Sequence, residues 1–242
     1  MSRQPDLSLL RQRALLSEPV VGFYDAPSAE PFTPRKSPAK DSACTFAYFT
    51  FWQKGGYLHL TAEHFGCGGA GYWLCGRSGR PRDAFIDFLV KEEGLKADGS
   101  LMDRWLDDQS PYQQEHPHLL VGPLLPEQYA HLKTVTFFVN PDQLSLFMIG
   151  AQYHAAPTDP PPVLAPFGSG CLMLVAAFPD LDLPQAVIGA TDIAMRQYLP
   201  PYVLAFTVTK SMLERLCALD EESFLFKPFW NNLTEARGLA MD

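Results

Sequence analysis

Proline is the residue that most restricts how this chain can fold, because it is poorly tolerated inside helices and central strands. The 242 residues include 22 prolines, roughly twice the average share. Many of them fall in two segments, 25–40 and 155–170, which we expect to be long surface loops. This distribution argues against a helical bundle and favours short elements that alternate with loops.

Apolar patterns between these loops predict strands and helices in mixed order. The expected strands are 20–24, 57–61, 133–139, 186–189 and 202–208. The expected helices are 6–16, 42–52, 81–93, 100–108, 141–153 and 209–218. For 42–52 a strand remains the alternative, because periodicity does not separate the two for an apolar run. The sequence therefore predicts an α+β fold, a mixed sheet with flanking helices.

A weak internal repeat runs through this pattern. Each half has a strand, a proline-bearing loop, an apolar run that begins at a cysteine, and a further strand. The distance from the cysteine to the further strand is 13 residues after Cys44 and 14 after Cys171. We expect one domain over residues 1–242, with two pseudo-symmetric halves, 18–125 and 126–242, as a hypothesis. Chance similarity is the alternative.

Charge and the absence of targeting patterns restrict partners and compartment. The net charge of −8 disfavours nucleic-acid binding, which needs clustered Lys and Arg. No secretory signal pattern opens the chain, and its apolar runs are far shorter than the ~20 residues that span a bilayer. Five cysteines are an odd number and favour reduced thiols. We expect a cytoplasmic protein without a membrane association, whose partners are a small molecule or a metal, and leave a homo-oligomer open.

The densest glycine cluster surrounds one thiol, Cys67. Glycines at 66, 68, 69 and 71 let backbone approach a ligand closely. If a helix begins at Gly68, its free N–H groups and dipole would lower the pKa of Cys67. Gly68 and Gly69 are therefore candidate cofactor contacts. A tight turn with close strand–helix packing is the alternative.

Cys44, Cys67 and Cys171 are the candidate metal ligands, with His64 as a fourth. No pair has the C-x-x-C spacing of zinc ribbons, so the site would be assembled from distant segments. Thiolates are soft ligands that suit an iron–sulfur cluster or another transition metal. The alternative is that each cysteine is a small buried hydrophobic residue.

Arg196 stands out in a charge-poor region and needs a partner. Asp192 at i−4 would give a helix ion pair. A clamp for a carboxylate or phosphate of a cofactor is the functional alternative. For His59 we expect a surface or hydrogen-bonded ring, and for the exposed-looking pair His116 and His118 we expect solvated rings.

Several short stretches also resemble one known family. In chain order they are Phe23-Tyr24, the run from Cys44, Leu58-His59-Leu60-Thr61, Cys67-Gly68-Gly69-Ala70, Val135 to Leu144, Gly170-Cys171 and the strand leading to Arg196. Over roughly residues 18–218, the chain resembles the uncharacterised ArCR-type family, domain of unknown function 169. The resemblance implies an architecture and candidate positions, but no settled activity. It also implies a cysteine on the late strand, where this chain has Gly189-Ala190, and a site that needs this thiol would be weakened here.

The leading hypothesis is a protein that binds a metal centre or small cofactor through cysteines from both halves. One alternative is an enzyme with Cys67 as the nucleophile and a histidine as the base. The other is a ligand-free, partner-binding protein that uses the aromatic residues of segment 46–52. For these aromatic residues we expect the core rather than an interface.

Overall fold

The computed structural model describes residues 5–38, 44–76 and 81–239, and its centre is one eight-stranded sheet. The strands are β1 (Val20–Ala26), β2 (Arg35–Lys36), β3 (Tyr57–Leu60), β4 (His118–Pro123), β5 (Leu132–Val139), β6 (Val163–Leu164), β7 (Ala186–Gly189) and β8 (Leu204–Thr209). Their order across the sheet is β2-β3-β4-β1-β5-β8-β7-β6. Strands from both halves of the chain thus form a single sheet.

The strand order has a two-fold pattern about the central pair, β1 and β5. On one side β1 pairs with β4 and β4 with β3, both antiparallel, and β3 pairs with β2 in parallel. On the other side β5 pairs with β8 and β8 with β7, both antiparallel, and β7 pairs with β6 in parallel. Two half-repeats would produce this arrangement, and their common origin stays a prediction.

Helices cover both faces of the sheet. They are α1 (Ser8–Arg13), α2 (Phe49–Gln53), α3 (Gly68–Cys75), α4 (Arg82–Asp87), α5 (Gly99–Asp108), α6 (Pro141–Gln152), α7 (Ile193–Arg196), α8 (Lys210–Cys217) and α9 (Pro228–Ala236). Helices α1, α6, α8 and α9 pack on one face, and α2 to α5 contribute to the core on the other. In the described part of the chain, no helix has the length and apolar character needed to cross a bilayer.

The α+β prediction is confirmed, and so are all five predicted strands, with shifts of one or two residues at their ends. Segment 42–52 is helical where it is described, as the 3-10 helix Thr45–Tyr48 followed by α2; residues 42 and 43 lie outside the described residues. The helix predicted at 81–93 is α4 continued by a π-helical turn, Phe88–Glu92. Sequence reasoning missed β4 and α9, as well as the short edge strands β2 and β6 inside the proline-rich segments.

The aromatic residues of segment 46–52 lie in the core beside β5. Phe46, Phe49 and Trp52 are buried, and their rings pack around Phe138 with centroids 4.9 to 6.4 Å away. Such edge and stacked contacts add to the free energy gained by burial. Phe46, Phe49 and Trp52 thus lie in the core as expected, whereas Tyr48 and Phe51 are half-buried.

Asp25 at the end of β1 is a fully buried carboxylate that holds the segment before β4. It accepts hydrogen bonds from the Tyr112 hydroxyl at 2.8 Å and from the amides of Glu115 and His116 at 2.7 and 2.8 Å. Burial and the hydrogen bond to Asp25 raise the pKa of Tyr112, so the phenol stays a donor. These bonds compensate the desolvation of the carboxylate.

We predict that Asp25→Ala lowers the free energy of unfolding by about 3 kcal/mol, because it leaves three donors without their acceptor. Tyr112→Phe removes one donor and keeps the carboxylate, and should cost about 1 kcal/mol. Urea denaturation of both variants beside the wild type measures the difference. Equal stability of Asp25→Ala and the wild type would contradict this account of Asp25.

Candidate functional site

A cavity of about 630 Å³ lies on the sheet face that carries α3. Three cysteines, Cys44, Cys67 and Cys171, lie in its wall. Aromatic and aliphatic side chains, including Trp73, Trp105 and Met195, form most of the remaining surface, and its charged lining residues are Glu93 and Asp192. Among the described residues, no lysine, arginine or histidine lines the cavity. It is therefore a partly apolar space with thiols and carboxylates but without a cationic side chain.

Cys67 lies at the N-terminus of α3, as the N-cap residue. Its backbone is extended, and its carbonyl accepts the first helical hydrogen bond, from Gly71 at 3.0 Å. The amides of Gly69 and Ala70 lower the pKa of its thiol, although the side chain makes no capping hydrogen bond. Of the two alternatives for this segment, the helix that begins at Gly68 is the one present, with its free N–H groups at the end where Cys67 lies.

Cys44 and Cys171 occupy matching places in the two halves of the chain. Each is the N-cap residue of a buried 3-10 helix, Thr45–Tyr48 and Leu172–Leu174 respectively. Each of these helices lies in the segment that precedes the third strand of its half, β3 or β7. The Cys171 sulfur donates to the Thr45 hydroxyl at 3.3 Å, so the two segments touch directly.

The three thiols lie close enough to shift one another's pKa values. Hydrogen bonds from Cys171 and Cys44, followed by the amides of Ala70 and Gly69, hold the pKa of Cys67 far below its ordinary value. Hydrogen bonds to Cys44 and Cys67, together with full burial, raise the pKa of Cys171. For Cys44, the bond to Cys171 lowers the pKa, but the bond to Cys67 and burial outweigh it, so that the pKa rises. These directions favour ionisation at Cys67 over ionisation at Cys44 or Cys171.

Glycines and an unpaired hydroxyl complete the wall beside Cys67. A Cβ atom on Gly68 would meet no atom within 4 Å, and one on Gly69 would lie 3.7 Å from the Ser169 hydroxyl oxygen. Gly170 is required for packing, because its Cβ would approach Phe46 to 2.8 Å. The buried hydroxyl oxygen of Ser169 has no hydrogen-bond partner among the described residues. The structure thus places Gly68 and Gly69 at the cavity, as predicted, and adds Ser169.

His64 is not part of this group. It is exposed, in a turn after β3, where its ring lies 3.5 Å from the Thr61 hydroxyl. The chain has six histidines, all of them in the described part, and none lines the cavity. A histidine ligand or base beside Cys67 therefore has no support in the geometry.

Arg196 serves the loop around it, and the ion pair considered with Asp192 is not formed among the described residues. Its guanidinium donates to the carbonyl oxygens of Ala190, Pro200, Pro201 and Val203. The carboxylate of Asp192 instead accepts from the amides of Ala194 at 2.9 Å and Gly170 at 3.2 Å. The four bonds engage Nη1 and Nη2 of Arg196, and contact with an anion of a cofactor stays a prediction.

The histidine pair of segment 116–118 is less solvated than expected. His118 is half-buried in β4, and its Nδ1 lies 3.1 Å from Nε2 of His59. His116 has its Nδ1 3.4 Å from the Asp25 carboxylate. Asp25, Glu115 and His116 also bring three potential ligand atoms within 4.8 Å of one another, but Asp25 is already occupied by its three donors. We therefore interpret Asp25, Glu115 and His116 as residues that hold the loop before β4 and not as metal ligands.

Comparison with known proteins identifies one family. The model of the family DUF169, described as Uncharacterised ArCR, matches residues 10–218, which include the three thiols, Gly68, Gly69 and Asp192. No curated protein and no solved structure matches the chain.

The His59–His118 contact predicts a loss of stability in mild acid. Burial, followed by the charges of His118 and Arg35, lowers the pKa of His59 from 6.5 to about 4. Between these two pKa values, His59 is protonated in the unfolded chain but not in the folded chain. The contribution of neutral His59 to the free energy of unfolding is therefore complete above pH 6.5 and declines as pH falls towards 4. In urea denaturation from pH 7.5 to 4.5, His59→Gln should lose less stability than the wild type. If the stability of the two proteins fell equally between pH 7.5 and 4.5, His59 would not be the group responsible.

Metal-free protein should be alkylated first at Cys67. Because its pKa is held low, its reaction rate with iodoacetamide should stay nearly constant between pH 6 and 8.5. Cys217 is the control, a half-buried thiol on the other face of the sheet whose burial raises its pKa to about 12. Mass spectrometry of the labelled peptides gives the order. Equally slow labelling of all five cysteines would contradict it.

Proposed function

The chain belongs to the DUF169 family, and with this as the starting point we propose that it binds a thiophilic metal centre at Cys44, Cys67 and Cys171. The observation that carries the proposal is the meeting of three thiols from three separate segments at one cavity wall. An iron–sulfur cluster is the form of metal centre that we favour.

The ligand chemistry supports a thiophilic metal. Thiolates select Cu(I), zinc and iron–sulfur clusters among the biological metals. Cys67 is already poised as a thiolate, and Cys44 and Cys171 are neutral thiols that would release their protons when a metal binds. The absence of a cationic side chain from the described cavity wall leaves the positive charge of the metal as the partner for three thiolates.

The room around the thiols favours a cluster over a single ion. A structural zinc is enclosed by four protein ligands, whereas these three thiols border a space of about 630 Å³. The bare Cα of Gly68 and the unpaired hydroxyl of Ser169 lie in the same wall. Both features fit a bulky group that needs close backbone approach and hydrogen-bond donors, such as a cluster with its inorganic sulfides.

An enzyme with Cys67 as nucleophile remains the second candidate, because the thiolate at the N-terminus of α3 has the protonation that such chemistry requires. The histidine base of that hypothesis has no counterpart in the cavity. Metal binding accounts for all three thiols, whereas nucleophilic catalysis would use one of them.

Protein purified without oxygen, or reconstituted with ferrous iron and sulfide, tests the proposal. We expect iron and acid-labile sulfide in stoichiometric amounts, with broad absorption near 400 nm typical of such clusters. Cys67→Ser and Cys171→Ser should each reduce iron content by at least about tenfold, since even weaker perturbations around a metal cost 10–100-fold in affinity.

Cys217→Ser is the matched control, because it makes the same change on the opposite face of the sheet and should keep the wild-type iron content. Thermal unfolding of each variant identifies any that fails to fold. Zinc without iron or sulfide would overturn the cluster and keep the thiophilic site. Protein without any metal after reconstitution, and thiol variants as stable as the wild type, would overturn the proposal.

A further inference from the structure

The two halves of the sheet place equivalent segments around the cavity. Strands β3 and β7 are third from the centre on their respective sides. Cys44 and Cys171 lie at matching positions before them, as described above. The residues that follow these two strands should then correspond as well, and both sets of residues reach the cavity.

Cys67 and Asp192 form this second matching pair. Cys67 is the N-cap residue of α3, the first helix after β3, and Asp192 is the N-cap residue of α7, the first helix after β7. Both side chains line the cavity. Four potential ligands therefore surround the space as two pairs, Cys44 with Cys171 and Cys67 with Asp192.

The Asp192 carboxylate has capacity for another partner. Each oxygen accepts one amide hydrogen bond, Oδ1 from Ala194 and Oδ2 from Gly170, and a carboxylate oxygen can accept more than one. Gly170 directly precedes Cys171, so Asp192 is tied to the segment that carries a thiol. Among the described residues, no ion pair with Asp192 is formed, and Arg196 is committed to carbonyl oxygens.

Hydrogen bonds from Arg196 hold the loop that carries Asp192 in one conformation. Ala190 adopts a φ of 60°, a left-handed conformation that is unfavourable for alanine. Arg196 donates to the Ala190 carbonyl and to three carbonyls of segment 200–203. These bonds stabilise the turn between β7 and α7, and so they fix where the Asp192 carboxylate stands.

We propose that Asp192 is the fourth ligand of the metal centre, which makes the site a three-cysteine, one-aspartate set. This inference rests on the proposed function. A carboxylate is a harder ligand than a thiolate and suits iron less well in a cluster, so Asp192 would be the protein ligand that a molecule in the cavity could displace. The fourth ligand assumed from the sequence, His64, is replaced by a residue of the second half.

Asp192→Cys and Asp192→Asn in the iron-reconstituted protein test the inference. With Asp192→Cys we expect a normal iron and sulfide content, an altered electron paramagnetic resonance spectrum of the reduced protein, and a lower midpoint potential, because a thiolate donates more electron density. With Asp192→Asn, which keeps the side-chain shape and the capping oxygen, we expect iron loss to a chelator to be at least about tenfold faster.

Asp98→Asn is the matched control. Asp98 caps α5 by accepting from the Leu101 amide at 2.9 Å and lies outside the cavity lining, so this variant should keep the wild-type spectrum and chelation rate. If both Asp192 variants keep them too, Asp192 is a helix cap alone, and the three-thiol site stands without it. If the wild type takes up no iron, the proposed function itself fails, and the two failures are therefore distinguishable.

Discussion

The antiparallel pairing of β1 with β5 is the constraint on which the rest of the structure depends. These two strands are almost wholly buried and join the four strands of each half into one sheet. The segments that lead to β3 and β7 then cross the same face, where Phe46 packs against Phe138 and the Thr134 hydroxyl donates to the Leu174 carbonyl at 2.5 Å. Cys171 thereby meets Thr45, although 126 positions separate them in the chain.

The thiol group shows how neighbouring dipoles can favour an anionic sulfur. The neighbouring thiols and two amides at the N-terminus of α3 lower the pKa of Cys67, and among the described residues of the cavity wall no lysine or histidine accompanies it, as one often does at a low-pKa cysteine. The same arrangement makes a second thiolate unfavourable, which raises the pKa of Cys44 and Cys171. Any cation that enters would remove this conflict, so metal affinity and proton release are coupled at the site.

Arg196 illustrates how a charged residue can serve a site without touching a ligand. An arginine in an apolar region must find acceptors, and here the acceptors are four main-chain carbonyls of the loop between β7 and β8. The guanidinium donates the hydrogen bonds that these carbonyl oxygens would accept from the backbone in a helix or a sheet. Its geometry keeps Ala190 in a strained conformation, and that conformation directs the chain towards Asp192 and α7.

Local patterns in the sequence were enough to predict the α+β class and five of the six strands that have four or more residues, with β4 missed. A helix that begins beside Cys67 was one of two alternatives for that segment. These features follow from side-chain periodicity and from the conformational freedom of glycine, which act over a few residues. The three thiols chosen from the sequence all line one cavity, and their role as ligands stays a proposal. The short strands β2 and β6, by contrast, lie in proline-rich segments whose local signal is that of a loop.

Features that depend on contacts between distant segments were missed or misassigned. His118 looked solvated because its partner, His59, is 59 residues away, and Arg196 was matched with Asp192 or a cofactor anion because its carbonyl acceptors carry no sequence signal. Asp192 attracted notice as a neighbour of Arg196, whereas its relation to Cys67 depends on the order of strands across the sheet. Pairing between strands is long-range and is settled by burial of the whole sheet, so a linear pattern identifies the pieces of this site while packing brings them together.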